Sequence, residues 1–178
     1  REAVTAGYFR FEGKMAPLNY SFGLRAEYTD YALDLQQINQ QEIGDKYLHL
    51  FPNLSLGKQV SEDLNWNFAY TSSISRPPYE RLNPSPIYQD PFTSIQGNPL
   101  LKPAVTHAIE LSSQFKKTTF KIGYNNTQDV LGGAAIRGAT DRSYILTRVN
   151  HDVQHGLFSS ISHTFRTDWW TSTNTASL

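Results

Sequence analysis

The chain has no cysteine among its 178 residues. That excludes both a disulfide framework and a thiolate metal site. It has no net charge, with 16 basic side chains against 16 acidic ones. Nucleic acid, which selects a basic surface, is therefore not an expected partner. No run of 18 apolar residues occurs, which excludes a membrane-spanning helix. It does not exclude a membrane β-barrel, whose strands need an apolar residue only at every second position. Signatures of catalysis are also missing. There is neither a G-x-S-x-G elbow nor an H-E-x-x-H motif, and Ser, His and Asp are not spaced as a triad. Gly132-Gly133 is loop punctuation rather than a phosphate cradle. No enzyme activity and no cofactor are expected.

Metal binding finds little support. His151 and His155 stand four residues apart, a ligand pair on a helix but about 13 Å apart on a strand. Asp30, Asp34 and Asp45 flank a polar stretch and read as solvated loop acids, although oxygen ligands of this kind suit Ca²⁺. No metal is expected.

What the chain does have is β composition and strict alternation. Aromatics make up 13% of it, mostly Tyr and Phe. From Leu18 to Thr29, Leu18, Tyr20, Phe22, Leu24, Ala26 and Tyr28 share one face, and Asn19, Ser21, Gly23, Arg25, Glu27 and Thr29 share the other. Successive side chains of a strand point to opposite faces, so this is an apolar wall backed by a polar one. The pattern recurs at Tyr47–Gly57, Leu64–Ile74, Val105–Phe115, from Thr118 to about Ile136, and at 142–165. With a less regular segment at Val4–Phe11 and another from Trp169 onward, eight strand-like segments are expected. Pro52 sits inside one of them and predicts a bulge or a missing bond.

The connections alternate in length. Those at 13–17, 59–63, 116–117 and 166–168 are short, and those at 32–45, 77–103 and 132–141 are long. An up-and-down meander of this kind, with polar-face charges at Arg25, Glu27, Glu110 and Lys121, fits an outer-membrane barrel. A soluble sandwich or lipocalin-like barrel is the competing reading of the alternation. Trp66, Phe115, Phe120, Phe165, Trp169 and Trp170 favour the membrane, because all fall next to the short turns, as interface aromatics would. Segment 142–165 is longer than the 9–11 residues or so of a bilayer crossing. Its half bearing Arg142 and Arg148 is expected above the membrane, paired with 126–136.

Ser75–Pro103 holds seven of the nine prolines, yet carries Tyr79, Leu82, Ile87, Tyr88, Phe92, Ile95, Leu100 and Leu101. Proline excludes helix and sheet interior, and the apolar content excludes a solvated tether. A stiff, packed loop on top of a sheet is expected. Binding residues concentrate on loops held by a rigid scaffold. The candidates for ligand or partner contact are Arg76, Tyr79, Arg81, Tyr88, Gln89, Asp90 and Phe92. Alternatively, Tyr79, Leu82 and Tyr88 only pack the loop onto the barrel rim.

Five short motifs carry a family resemblance: Gly23-Leu24-Arg25-Ala26-Glu27-Tyr28-Thr29, Phe51-Pro52-Asn53-Leu54-Ser55, Ile74-Ser75-Arg76-Pro77, Leu82-Asn83-Pro84 and Gly97-Asn98-Pro99-Leu100-Leu101-Lys102-Pro103. In this order they resemble the barrel region of TonB-dependent receptors, specifically the outer membrane protein beta-barrel family. Asn150, Gly156-Leu157 and Trp169-Trp170 continue the match weakly. The resemblance implies a barrel of about 22 strands with a plugged lumen, of which residues 1–178 would be one part. The chain opens at Arg1 and ends at Leu178 in what reads as mid-strand, so a fragment is expected, with plug domain and terminal strand absent. The implied function is uptake of a siderophore, haem, peptide or glycan across the outer membrane of a Gram-negative bacterium. The implied partners are outer-membrane lipid and, given a plug, TonB. A plugless barrel serving as a structural or assembly subunit, with a surface lipoprotein or other complex subunits as partners, is the alternative. A soluble β-barrel that binds a small ligand is the second alternative.

Overall fold

The computed structural model describes residues 2–34, 42–138, 140 and 142–178. Alternation becomes eight long strands: β1 (Glu2–Met15), β2 (Leu18–Asp34), β3 (Glu42–Gln59), β4 (Leu64–Ser75), β7 (Ala104–Phe115), β8 (Thr118–Arg137), β9 (Tyr144–Arg166) and β10 (Thr171–Ser177). Two short strands, β5 (Ile87–Asp90) and β6 (Thr93–Ile95), lie inside the proline-rich segment. The order β1-β2-β3-β4-β7-β8-β9 is an antiparallel meander, with β10 continuing it beside β9. Among the described residues β1 pairs only with β2 and β10 only with β9. The sheet is therefore open, as a sector of a larger barrel is, and does not close on itself into a narrow eight-stranded one.

Three expectations about connections change. β2 and β3 run together up to the pair Asp34↔Glu42, so most of the connection expected at 32–45 is strand, and 35–41 lies outside the described residues. β8 continues to Arg137 through Gly132-Gly133, which pair with Val149 and Arg148. Glycine punctuates only where nothing pairs it; here the long β9 supplies a partner. The third change concerns 77–103, which is not structureless. It carries a 3₁₀ turn at Tyr79–Arg81 and the β5–β6 hairpin. β6 pairs in parallel with the upper end of β9, from Thr93↔Tyr144 to Ile95↔Leu146.

Pro52 forms no bulge. The β2–β3 register passes straight through it, with Leu24 opposite Pro52. The β3–β4 ladder, in contrast, extends only from Gln59↔Asn65 to Asn53↔Thr71 and ends one residue short of the proline. Proline has no N–H with which to extend a ladder. β4 goes on without β3 to Ser75, opposite Ala104 of β7.

Burial separates the two faces. Phe22, Tyr28, Leu48, Leu50, Ile109, Leu111, Phe120, Ile122, Leu157 and Ile161, all on the apolar face, remain exposed. The buried cluster lies on the polar face instead. There Thr29 is 0% and Glu27 2% exposed, both bonded to Arg76 at the start of the proline-rich segment; Phe51 on the same face and Leu82 and Leu101 of that segment are buried too. A water-soluble sheet buries its apolar face. This one leaves it bare and covers its polar face with a loop, the arrangement of a lipid-facing wall with a polar interior. The loop was expected on top of the sheet; it folds inward over it.

Candidate functional site

Besides the β6–β9 pairing, four ties hold the loop to the inner, polar face. At its start, Arg76 Nη2 donates to Glu27 Oε2 at 2.6 Å and to Thr29 Oγ1 at 3.2 Å. Arg25 also pairs with Glu27, and Arg76 Nε lies 3.5 Å from Glu2 Oε1. Arg76 is thus the bridge between the loop and strands β1 and β2. Burial alone would lower the Arg76 pKa, but hydrogen bonds and charge attraction from Glu27 and Tyr47 together hold it above its ordinary value.

Next, the Tyr79 hydroxyl donates to Glu2, and this bond is the main reason the Tyr79 pKa is raised. Tyr31, Tyr47, Arg76, Pro78, Tyr79 and Leu101 surround a cavity of about 280 Å³ at this end.

The third tie is the Gly-Asn-Pro turn. Gly97 N donates to Asn83 O at 2.8 Å, and Asn98 N donates to Arg81 O at 2.7 Å. The Asn98 side chain donates to Arg148 O of β9 at 3.1 Å. A Cβ at Gly97 would stand 2.4 Å from Asn83 O and 2.7 Å from Arg81 O, so only glycine allows this approach.

Asn150 makes the last tie, acting as a substitute strand. Its Oδ1 accepts from Lys102 N at 2.9 Å, and its Nδ2 donates to Lys102 O at 2.9 Å and Asp129 O at 2.8 Å.

Between the loop and β8–β9 this anchoring leaves a larger cleft, of about 550 Å³. Arg81, Glu80, Ile87 and Ile95 line it from the loop, and Leu146 and Arg148 from β9.

The seven candidate contact residues therefore divide. Arg76 and Tyr79 tie the loop down, and Arg81 lines the larger cleft. Tyr88 and Gln89 stand exposed on β5 and do not pack the loop onto the rim, whereas Leu82 does, at 8% exposed. Asp90 Oδ1 accepts from Phe92 N at 2.8 Å and closes the hairpin turn, which lowers the Asp90 pKa. The Phe92 carbonyl accepts from Tyr144 N at 2.7 Å while its ring is exposed. Asn98, Arg148 and Asn150 were not among the candidates. The motif Gly97-Asn98-Pro99 and the isolated match at Asn150 were the available signals.

On the outer face, Trp66, Phe115, Phe120 and Phe165 are exposed beside the short turns, and Trp169 and Trp170 are exposed in the turn between β9 and β10. Near the other end Tyr70 Oη lies 2.8 Å from His107 Nδ1, and Tyr124 Oη 2.6 Å from His155 Nδ1. Here the apolar face turns polar. Among the described residues no group of three His, Asp or Glu side chains is placed to hold a metal. Asp30 pairs with Lys46 at 2.9 Å, Asp45 accepts from Lys46 N, and the Asp34 side chain lies outside the described residues.

The model of the outer membrane protein beta-barrel family matches residues 1–178. No curated protein matches the sequence. Solved structures do share the fold. The Serratia marcescens hemophore receptor HasR, in a complex with its hemophore HasA and heme, is 14% identical with a TM-score of 0.75; the alignment covers 98% of this chain and 33% of that one. For the Pseudomonas aeruginosa siderophore receptor PirA the values are 13% and 0.63, with 99% and 42% covered. The FrpB iron transporter of Neisseria meningitidis gives 13% and 0.65, with 99% and 25% covered. The chain thus spans between a quarter and about two fifths of these proteins.

Proposed function

This chain belongs to the outer membrane protein beta-barrel family, and on that footing we propose that it is a wall sector and inward-folded loop of a nutrient-uptake receptor in the outer membrane of a Gram-negative bacterium. The bare face of β1–β4 and β7–β10 meets lipid. The aromatics at the short turns lie at the periplasmic interface, and the loop 76–103 stands at the extracellular mouth. Substrate passes between loop and wall and then through the lumen. TonB is the energy-coupling partner when the full protein carries a plug.

The observation that carries this reading is the location of the buried cluster. Glu27 and Thr29 are buried on the polar face, under a loop tied down by Arg76, Asn98 and Asn150. A scaffold barrel needs only its lipid face. A preformed inner ledge with two cavities is the equipment of a receptor, because ligand sites are largely preformed and concave.

The test is a full-length protein in which 77–103 is replaced by a short Gly-Ser turn. Ser75 and Ala104 already face each other, so the wall can close without the loop. The expected result is normal insertion in the outer membrane with growth lost when one of iron, haem, peptide or glycan limits the native host. Undiminished growth on all four, with partner proteins no longer co-purifying, would replace the receptor with a structural subunit.

A further inference from the structure

The larger cleft has a property that loop packing does not require. Four cations on the inner face are matched by carboxylates: Arg25 and Arg76 by Glu27, Lys121 by Glu110, and Arg10 by Glu12. Arg81 and Arg148 both line the cleft, and among the described residues neither has a carboxylate within ion-pair distance. Glu80 also lines it, so the three side chains together leave one positive charge.

The two arginines are held in place from behind. Asn98 bonds the Arg81 carbonyl through its backbone N–H and the Arg148 carbonyl through its side chain. One residue thus fixes the backbone beneath both cations. Apart from Gln96 and Thr147, the surrounding wall is small or apolar. Gly133 has no side chain, and a Cβ built there would meet the Arg148 guanidinium at 3.6 Å, so the absence of larger groups keeps the space before Arg148 open. Ile87, Ile95 and Leu146 form apolar sides. A guanidinium fork matches the planar oxygen pair of a carboxylate.

We propose that this cleft is a binding site for small organic carboxylates with an apolar body. As a statement of what is imported it rests on the receptor reading; as a statement of binding it does not. The carboxylate lies between Arg81 and Arg148, and the apolar part rests against Ile87, Ile95 and Leu146. Glu80 repels ligands with several negative charges and favours those with one.

The probe pair is 2-naphthoate and its neutral isostere 2-naphthamide, titrated calorimetrically into the full-length protein held in amphipol. Naphthoate should bind about tenfold or more tightly than the amide, and the difference should shrink with salt. Arg81→Gln and Arg148→Gln should each remove about tenfold from naphthoate and little from the amide, the weight of one charge-assisted hydrogen bond. Gly133→Leu should block both probes by filling the cleft. Arg166→Gln, at the opposite end of β9, should change nothing. Equal binding of acid and amide, no binding of naphthoate, or unchanged affinity in both arginine variants would overturn the proposal. The loop-replacement experiment separates the two readings. Naphthoate binding without loop-dependent uptake keeps the site and removes the receptor. Loop-dependent uptake without naphthoate binding keeps the receptor and removes the carboxylate.

Discussion

Arg76 meets Glu27 at 2.6 Å across 49 positions of sequence, and Glu27 is 2% exposed. The start of the loop is thereby tied to the inner wall on β2. Arg76→Ala leaves a buried carboxylate with Arg25 as its remaining cation. Breaking a fully buried pair costs about 3–5 kcal/mol. The Arg76 side chain is 29% exposed and Arg25 stays, so about 2 kcal/mol is expected. Trypsin reads this out. Arg76 and Lys102 precede prolines, leaving Arg81–Leu82 as the loop's cleavable bond, and Leu82 is buried until the loop lifts. Cleavage there should accelerate about thirtyfold in Arg76→Ala. Glu27→Gln combined with Arg76→Ala should show non-additivity, because the two side chains are in contact.

Gly97→Ala should undo the Gly-Asn-Pro turn. Its new methyl would collide with backbone oxygens of Arg81 and Asn83, which cannot rotate away as a side chain could. Loss of the Asn98 bonds should follow, with faster trypsin cleavage after Arg81 and weaker naphthoate binding. Gly57→Ala is the control. Its nearest neighbour would be an Asn67 side-chain atom at 3.7 Å, an ordinary contact, and its trypsin pattern should be unchanged.

The two faces of β7 should respond unequally to charge. Leu111 points outward among Phe68 and Ile122, its cross-strand neighbours, while Ser112 points inward beside Asn67 and Lys121. In urea unfolding from lipid vesicles, Leu111→Arg should cost about 2–4 kcal/mol. Ser112→Arg should cost well under half of that. Equal losses at both positions would contradict a lipid-facing outer surface.

The hairpin tip should loosen in acid. The Asp90 pKa is lowered chiefly by the hydrogen bond from the Phe92 N–H. A depressed carboxylate contributes stability that is present above its unfolded value and lost as pH falls through its folded value. Hydrogen exchange at the Phe92 amide should therefore rise below about pH 4. In Asp90→Asn it should be pH-independent after correction for intrinsic exchange.

The wall was legible because alternation reports directly which side chains share a face. Leu18–Thr29 and Val105–Phe115 have the faces the pattern assigns. What alternation cannot report is how far a strand outruns it. Gly132-Gly133 and the polar residues after Thr29 look like loop because nothing local stabilises them as strand; the stabilisation comes from β9 and β3, distant in sequence. The site was legible only in part, for a related reason. Glu27 and Thr29 look like solvated lumen residues until a loop about fifty positions away covers them. Arg76 stood out beside its proline as a candidate contact, but its role as a tie needed Glu27 in place. Arg148 read only as a residue above the membrane, because nothing near it in sequence points to Asn98 or Arg81.

The parallel pairing of β6 with β9 has a consequence in time. β6 is synthesised before β7, β8 and β9, yet its partners Tyr144, Ile145 and Leu146 come about 50 residues later. Closing so long a loop carries an entropic cost that only a formed β9 repays. The docking of the hairpin, the Asn98 bond to Arg148 and the Asn150 bonds to Lys102 all await the same strand. The ledge is therefore expected to dock on the wall only once β9 is in place. A lesion in β9 that spared the lipid face would leave a protein correctly inserted but permanently ajar.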